Sequence, residues 1–257
     1  MKKKREIQRP IHPLLCKVQR RLFHLLNRFE LPDYLFSGKK GISYISNAKL
    51  HQNSKFALKM DIEHFYANTT GEVVFQFFYH KLKMASDLAH ILTNISTYRD
   101  FSTNVQSLPT GSITSHLLAF LAHLDMFESI SELSKENNYI FSLYVDDMTF
   151  SSDSYIPHDF HKKIEEILQS KKLRFKRSKV RYYSDTQSKL ITGITITQNN
   201  EITVPNRRLK KTSNSIARAL SPSATKTEKT SALGKINSVQ QVNSNLFMNP
   251  SKQLSSK

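Results

Sequence analysis

Cysteine is nearly absent from this chain. A single residue, Cys16, in 257 excludes an intrachain disulfide and any zinc site built from several thiolates. One thiol suits a reducing compartment, so a cytoplasmic location is expected. Glycine and proline are scarce too, at 6 and 8 residues, which rules out collagen-like and Pro/Gly low-complexity classes. Long apolar runs are missing: the densest stretch, 116–127, contains His123 and Asp125 and is far short of the ~20 residues that span a bilayer. Near the N terminus, Arg9, His12 and Lys17 interrupt what a signal peptide keeps apolar, so no membrane partner is expected. Acidic residues are outnumbered, 21 against 38 Lys and Arg, for a net charge of +17, a balance that suits a polyanion-binding surface and makes nucleic acid the first partner to consider. What is present in quantity is apolar surface: 39% hydrophobic residues, with 10% aromatic, exceed what a disordered chain carries. The length fits one large domain or two intimate ones.

The charge is unevenly laid out. Residues 1–60 hold 14 Lys/Arg against 3 Asp/Glu, 61–150 hold 4 against 11, and 151–257 hold 20 against 7. An acidic middle between basic flanks is more than solubility requires. It matches a plan in which carboxylates holding Mg²⁺ lie between surfaces that grip phosphate backbones, although unevenly scattered surface charge would give the same numbers. No internal repeat at solenoid periods is present.

Leu15, Val18, Leu22, Leu25 and Leu26 recur at helical spacing with Arg and Lys between them, so 11–29 reads as an amphipathic basic helix. A turn-rich loop follows from Pro32 through Gly41. Residues 55–62 alternate apolar and polar side chains into Asp61, as a strand does, and Thr69-Thr70-Gly71 is a turn and helix start. Helical patterns cover 72–95 and, after the break at Pro109-Thr110-Gly111, about 113–134, where the Leu/Phe stripe at 116–127 is core. Residues 139–145 and 147–151 read as the arms of a tight β-hairpin with Asp146 and Asp147 at its tip. A helix at 157–170, short strands at 180–184 and 190–197, and a basic tail from Pro205, helical in pieces with a joint at Ser221-Pro222-Ser223, complete the order. The class is α+β, with an antiparallel sheet covered by helices on one face, like a palm.

The chemistry is concentrated in the carboxylates. Most adjacent Asp pairs are solvated turn residues. Here Tyr144-Val145-Asp146-Asp147 lies in an apolar run, where two carboxylates repel and suffer desolvation unless a cation joins them. Asp61, ending another strand-like run, is the best third ligand. Hard oxygen donors suit Mg²⁺, which takes its remaining ligands from water and substrate phosphate. Two such ions would activate a primer 3′-hydroxyl and stabilise leaving pyrophosphate.

Three motifs stand in order: KMDIEHFYANT at 59–69, LPTGSITSHLLAFLAHLD at 108–125 and YVDD at 144–147. They resemble the first carboxylate motif, the LPQG-x-x-x-S motif and the catalytic box of reverse transcriptases. Within that class, Asn47-Ala48-Lys49-Leu50-His51 resembles the NAxxH motif of retron enzymes, and Ile191-Thr192-Gly193 their VTG motif. The resemblance implies a right-hand polymerase fold: fingers at 1–58, a palm at 59–200 with interleaved fingers elements, and a small basic helical thumb at 201–257. It implies that Asp61, Asp146 and Asp147 bind two Mg²⁺ ions, and that Lys179 protonates departing pyrophosphate. Tyr66 would pack under the nucleotide sugar and exclude a 2′-hydroxyl, with Phe65 the neighbouring choice of register. Arg5, behind Lys3 and Lys4, would clamp the triphosphate, and Thr110 and Gly111 would shape the pocket beneath it. Asn47, His51 and Gly193 would belong to RNA-engaging surfaces, as would Arg207 and Arg208 in the thumb. Taken one by one, Arg5 and Lys179 also read as ordinary phosphate-facing or solvated cations, His51 as a turn residue, and Phe65 and Tyr66 as core aromatics.

The chain departs from the family pattern in places. Thr110 stands where a Gln is usual, His116 where a Pro is common, and the stretch ahead of the basic segment is shorter than usual, so the fingers are expected to be N-terminally short. The implied activity is synthesis of a branched RNA–DNA product (msDNA) from a cognate structured noncoding RNA. dNTPs are its substrates and the RNA–DNA hybrid stays bound, with an effector protein encoded nearby, in anti-phage defence. The alternatives are a defence-associated or intron-type reverse transcriptase, and a catalytically weak RNA-binding scaffold of the same fold.

Overall fold

In the computed structural model, which describes residues 7, 8 and 10–255, Pro13 opens helix α1 (Pro13–Leu26), where a missing N–H costs nothing. Leu22 and Leu26 carry its buried stripe. Ser43 and Ser46 form a reciprocal capping box at the start of α2 (Tyr44–Leu50), an element absent from the sequence reading. Strand β1 (Phe56–Asp61) leads into the short α3 (Phe65–Asn68) and α4 (Gly71–Gln76). The single helix expected over 72–95 is broken by a π turn at Phe77–Lys81 and by Lys83 in a left-handed conformation (φ 51°), and resumes as α5 (Ser86–Ser96).

A two-stranded ribbon, β2 (Tyr98–Asp100) and β3 (Val105–Ser107), precedes α6 (Ser115–Ala122) and α7 (Leu124–Glu136). The helix expected over 113–134 is thus two helices. They part at His123, whose backbone leaves helical geometry and whose ring turns inward, 3.3 Å from the Thr69 hydroxyl. Then come β4 (Ile140–Tyr144), β5 (Asp147–Ser152), α8 (His158–Ser170), a 3₁₀ turn at Arg177–Lys179, and β6 (Arg181–Tyr183). The segment expected as one strand over 190–197 folds back on itself as β7 (Lys189–Ile191) and β8 (Ile194–Ile196), joined to β9 (Ile202–Thr203). Helices α9 (Asn206–Ala219), α10 (Lys226–Gln240) and α11 (Met248–Ser255) close the chain. No helix among the described residues is long and apolar enough to cross a membrane.

The central sheet has the order β4-β5-β1-β6, with every pair antiparallel. Its register sorts the side chains by face, because successive residues of a strand point to opposite sides. Phe141, Leu143, Met148, Phe150, Leu58 and Met60 share one face and belong to the main core. There Phe150 meets Phe160 of α8 with ring centroids 5.1 Å apart. The opposite face carries Ser142, Thr149, Ser151, Ala57, Lys59, Asp61 and Asp147, small and polar residues that leave room above the sheet. Helix α2 borders β4, and His51, just after it, meets Ser142 and Ser151 on the polar face. A second core joins Ile216, Ala232, Ile236 and Leu254 of the C-terminal helices, and a third joins Ala48 of α2 to Ile191, Ile194 and Ile196.

Candidate active site

Asp61 and Asp147 face each other directly across the β1–β5 ladder. The β4–β5 turn is two residues long, since Tyr144 pairs with Asp147. Its tip is therefore Val145-Asp146, and Asp147, expected at the tip, is the first residue of β5. Val145 holds a left-handed conformation (φ 62°), strained for a β-branched residue. The surroundings hold it there. The Val145 N–H donates to Ser37 Oγ at 2.9 Å, and the Asp146 carbonyl accepts from the Ile62 N–H at 2.9 Å. The Asp61 carbonyl in turn accepts from the Lys176 N–H at 2.8 Å. Three carboxylates are thus presented by backbone that is bonded on every side.

Two lysines answer them. Lys59, two residues before Asp61 and on the same face of β1, places Nζ 3.2 Å from Asp147 Oδ2. Lys179, on the 3₁₀ turn, donates to Asp61 Oδ2. Among the described residues Asp146 makes no such ion pair, and burial, reinforced by the charges of Asp61 and Asp147, pushes its carboxyl up to about 6. Asp147 is also raised by burial, against the opposing pull of Lys59. Among the described residues no three His, Cys, Asp or Glu side chains close into a metal cage. An Mg²⁺ site of the substrate-completed kind needs only one or two carboxylates, with phosphate and water supplying the rest. Three carboxylates, Asp61 buried and Asp146 and Asp147 half-buried, crowded until Asp146 resists ionisation, are a donor set that fits such an ion.

A cavity of about 690 Å³ opens over this group. Asp61, Asp146, Asp147, Lys179, Tyr66, Phe65 and Thr110 all line it, so seven of the residues singled out in the sequence are gathered at one place. Phe65 is 3% exposed and packs on Phe127 and His123. Tyr66 is half-buried, the more open of the two aromatics in the cavity wall. Gln8 brackets Thr110: its side-chain oxygen accepts from the Thr110 N–H at 3.0 Å, and its own N–H donates to the Thr110 carbonyl at 3.1 Å. Gly111 follows with φ 134°.

The other expected residues lie elsewhere. Arg5, with Lys3 and Lys4, falls outside the described residues. Asn47 and His51, expected on an RNA-facing surface, are wholly buried. The His51 ring meets both arms of the β4–β5 hairpin, with Nδ1 2.7 Å from Ser151 Oγ and Nε2 2.7 Å from Ser142 Oγ, and burial pushes it down to about 3. Gly193 is exposed at the tip of the β7–β8 turn, where both Thr192 and Gly193 have positive φ, a mirror-image turn that favours glycine. Arg208 faces inward as well: its guanidinium lies 5.2 Å over the Tyr44 ring and donates to the Tyr44 hydroxyl at 3.1 Å and to Ser238. Arg207 stays exposed. Sequence reading missed Lys59 and Ser37. The first carried a signal, since a cation two residues before Asp61 in a strand must share its face; the second carried none.

A family profile described as reverse transcriptase (RNA-dependent DNA polymerase) matches residues 1–234. Among curated proteins the chain is 25% identical over 209 residues to Retron Ec83 reverse transcriptase of Escherichia coli, covering 76% of this chain and 65% of that one. It is 25% identical over 218 residues to Retron Se72 reverse transcriptase of Salmonella heidelberg (strain 579083-10), covering 80% and 55%. The chain therefore spans 55–65% of the length of these relatives. Among solved structures, a foamy viral protease-reverse transcriptase in complex with double-stranded DNA superposes with a TM-score of 0.53 at 17% identity, over 91% of this chain and 36% of that one. Candida albicans telomerase, in complex with a fragment of telomeric RNA, superposes at 0.51 with 11% identity, over 95% and 49%. Those likenesses establish the polymerase fold. With the profile covering 234 of 257 residues, the chain belongs to the reverse transcriptase family and is similar to its retron members.

Proposed function

We propose that this protein is an RNA-directed DNA polymerase of the retron type, which extends a primer hydroxyl on a cognate structured RNA to make a branched RNA–DNA product. The observation that carries this reading is the direct opposition of Asp61 and Asp147 with Asp146 beside them, at the base of a cavity large enough for a nucleotide. Asp61, Asp146 and Asp147 are the residues that would hold two Mg²⁺ ions. When bound, such ions supply positive charge to the attacking oxygen and to the leaving pyrophosphate.

The chain's own residues do the rest. Tyr66, at the cavity wall, packs against the sugar and excludes a 2′-hydroxyl. The primer hydroxyl loses its proton to water as its oxygen bonds the α-phosphorus and the bond to the bridging oxygen breaks, and Lys179 gives that bridging oxygen a proton. Thr110, held by Gln8, shapes the wall beneath the base. Exposed cations of the 201–257 thumb, Arg207 among them, follow the nucleic-acid backbone, and the 59–200 palm positions the chemistry. The curated relatives are named as retron reverse transcriptases, which supports the retron-type reading of the activity; a cognate structured RNA, an effector partner and a role in anti-phage defence are part of the proposal.

Purified protein, Mg²⁺, dNTPs and a primed RNA template test the activity. Wild-type protein is expected to extend the primer, and Asp146→Asn and Asp147→Asn to lower the rate by about 10³-fold or more. The RNA encoded beside the gene should then yield DNA joined to RNA through a 2′–5′ branch. Extension on neither template would favour a scaffold that only holds RNA, and extension without a branch would favour an intron-type or other defence-associated enzyme.

A further inference from the structure

Lys59 is a charged residue of the palm that meets one of the three aspartates and that the proposed chemistry leaves unused. It rises from the middle of β1 between Thr149 of β5 and Arg181 of β6, and its side chain is only 19% exposed. A cation so placed needs a partner, and the one it has is Asp147, at 3.2 Å. The two lysine contacts differ in kind. Lys179 comes from a 3₁₀ turn with its side chain 43% exposed and can swing away from Asp61 into water. Lys59 is anchored in the sheet, with Asp61 and Asp147 on the same polar face.

Three carboxylates against two ammonium groups leave the site close to balance with no divalent ion present. We infer that Lys59 is a resident counter-cation for Asp147: it keeps the palm folded and balanced without metal, and competes with the ion for that carboxylate. This rests on the proposed role of the three aspartates as metal ligands. The competition has a direction. Replacing Lys59 with an uncharged residue of similar shape leaves two unbalanced carboxylates instead of one, so the metal-free protein loses stability while affinity for a divalent ion rises. A lysine whose task was to grip substrate phosphate would behave differently, since its loss would weaken nucleotide binding and leave metal uptake in the absence of nucleotide unchanged.

The test is Mn²⁺ binding to the full chain without template or nucleotide, read from the spectrum of free Mn²⁺ by electron paramagnetic resonance, together with melting in EDTA. Lys59→Met is expected to bind Mn²⁺ roughly tenfold more tightly than wild type and to melt lower in EDTA, with the difference narrowing as Mn²⁺ is added. Lys59→Arg should keep the wild-type affinity. Lys59→Gln provides the same measurement should the methionine variant not fold. Metal affinity in Lys59→Met or Lys59→Gln that equals wild type or is weaker overturns the inference. Asp147→Asn binding Mn²⁺ as well as wild type would instead overturn the metal-ligand reading beneath it, and the inference with it.

Discussion

His51 shows how much a single buried side chain can carry. Both ring nitrogens are engaged, by Ser142 on β4 and Ser151 on β5, and Ser151 is also 2.9 Å from Ser54. The ring therefore ties α2 to both arms of the hairpin that presents Asp146 and Asp147. Burial depresses its pKa from 6.5 to about 3, and that of His123 to about 4. In each case the unfolded chain takes up the proton first. Stability present above pH 6.5 is accordingly lost as the pH falls through the window below it, by about 1.4 kcal/mol per pH unit for each histidine. Urea unfolding at pH 7 and pH 5 should show a drop of about 4 kcal/mol from these two rings, about 2 from each, partly offset by Asp146, whose raised carboxyl acts in the opposite direction, and His51→Gln should remove about half of the contribution of the rings; a His51→Gln profile as steep as wild type would contradict it. His51→Ala, which takes the partner from the Ser142 hydroxyl, leaves Ser151 only Ser54 and opens a cavity, should cost about 2–4 kcal/mol at pH 7. The motif around His51 was legible in the sequence, but its burial was not. A polar residue among polar neighbours looks like surface until the sheet face beneath it proves to be Ser142, Thr149 and Ser151.

At the scale of elements, the β4–β5 hairpin is the unit that matters. Its two-residue turn forces Val145 to φ 62°, and Ser37 answers the Val145 N–H from a segment that also borders β4 through the Leu35–Leu143 bridge. Ser37→Ala should therefore cost about 1 kcal/mol of stability and lower the extension rate several-fold, with affinity for primed template unchanged. Stopped-flow extension beside equilibrium binding separates the two quantities, and a change confined to binding would count against it. The four strands of the central sheet were legible because period-2 alternation survives in short segments, whereas β2, β3 and β9, two or three residues long, are too short to show it. The helical stretches over 72–95 and 113–134 were over-joined because the breaks depend on tertiary contacts: Lys83 adopts a left-handed conformation after the π turn, and His123 turns inward onto Phe65 and Thr69.

The whole molecule is organised by charge. The acidic middle of the chain supplies the palm carboxylates, and the basic tail supplies α9, where Lys211, Asn214 and Arg218 join Lys235 of α10 around a cleft of about 360 Å³. Affinity for structured RNA should fall steeply with salt, as binding releases counterions from each phosphate contacted. Lys211→Gln with Arg218→Gln should reduce the slope of log affinity against log salt by about 2. Filter binding across a series of salt concentrations reads this directly, and an unchanged slope would remove the cleft from the nucleic-acid surface.

Order along the chain was enough to establish the α+β class, the three carboxylates, the aromatic pair after Asp61 and the basic flanks. Each is a local property: periodicity within one element, or a short string whose spacing is its own evidence. Folding settled what depends on residues far apart in sequence. It set Asp61 opposite Asp147 across 86 positions, gave Asp147 its lysine from β1, drew Arg208 of α9 onto Tyr44 of α2, and buried Asn47 and His51. Strand register and burial are sums over many weak, distant contacts, and no short window of sequence contains them.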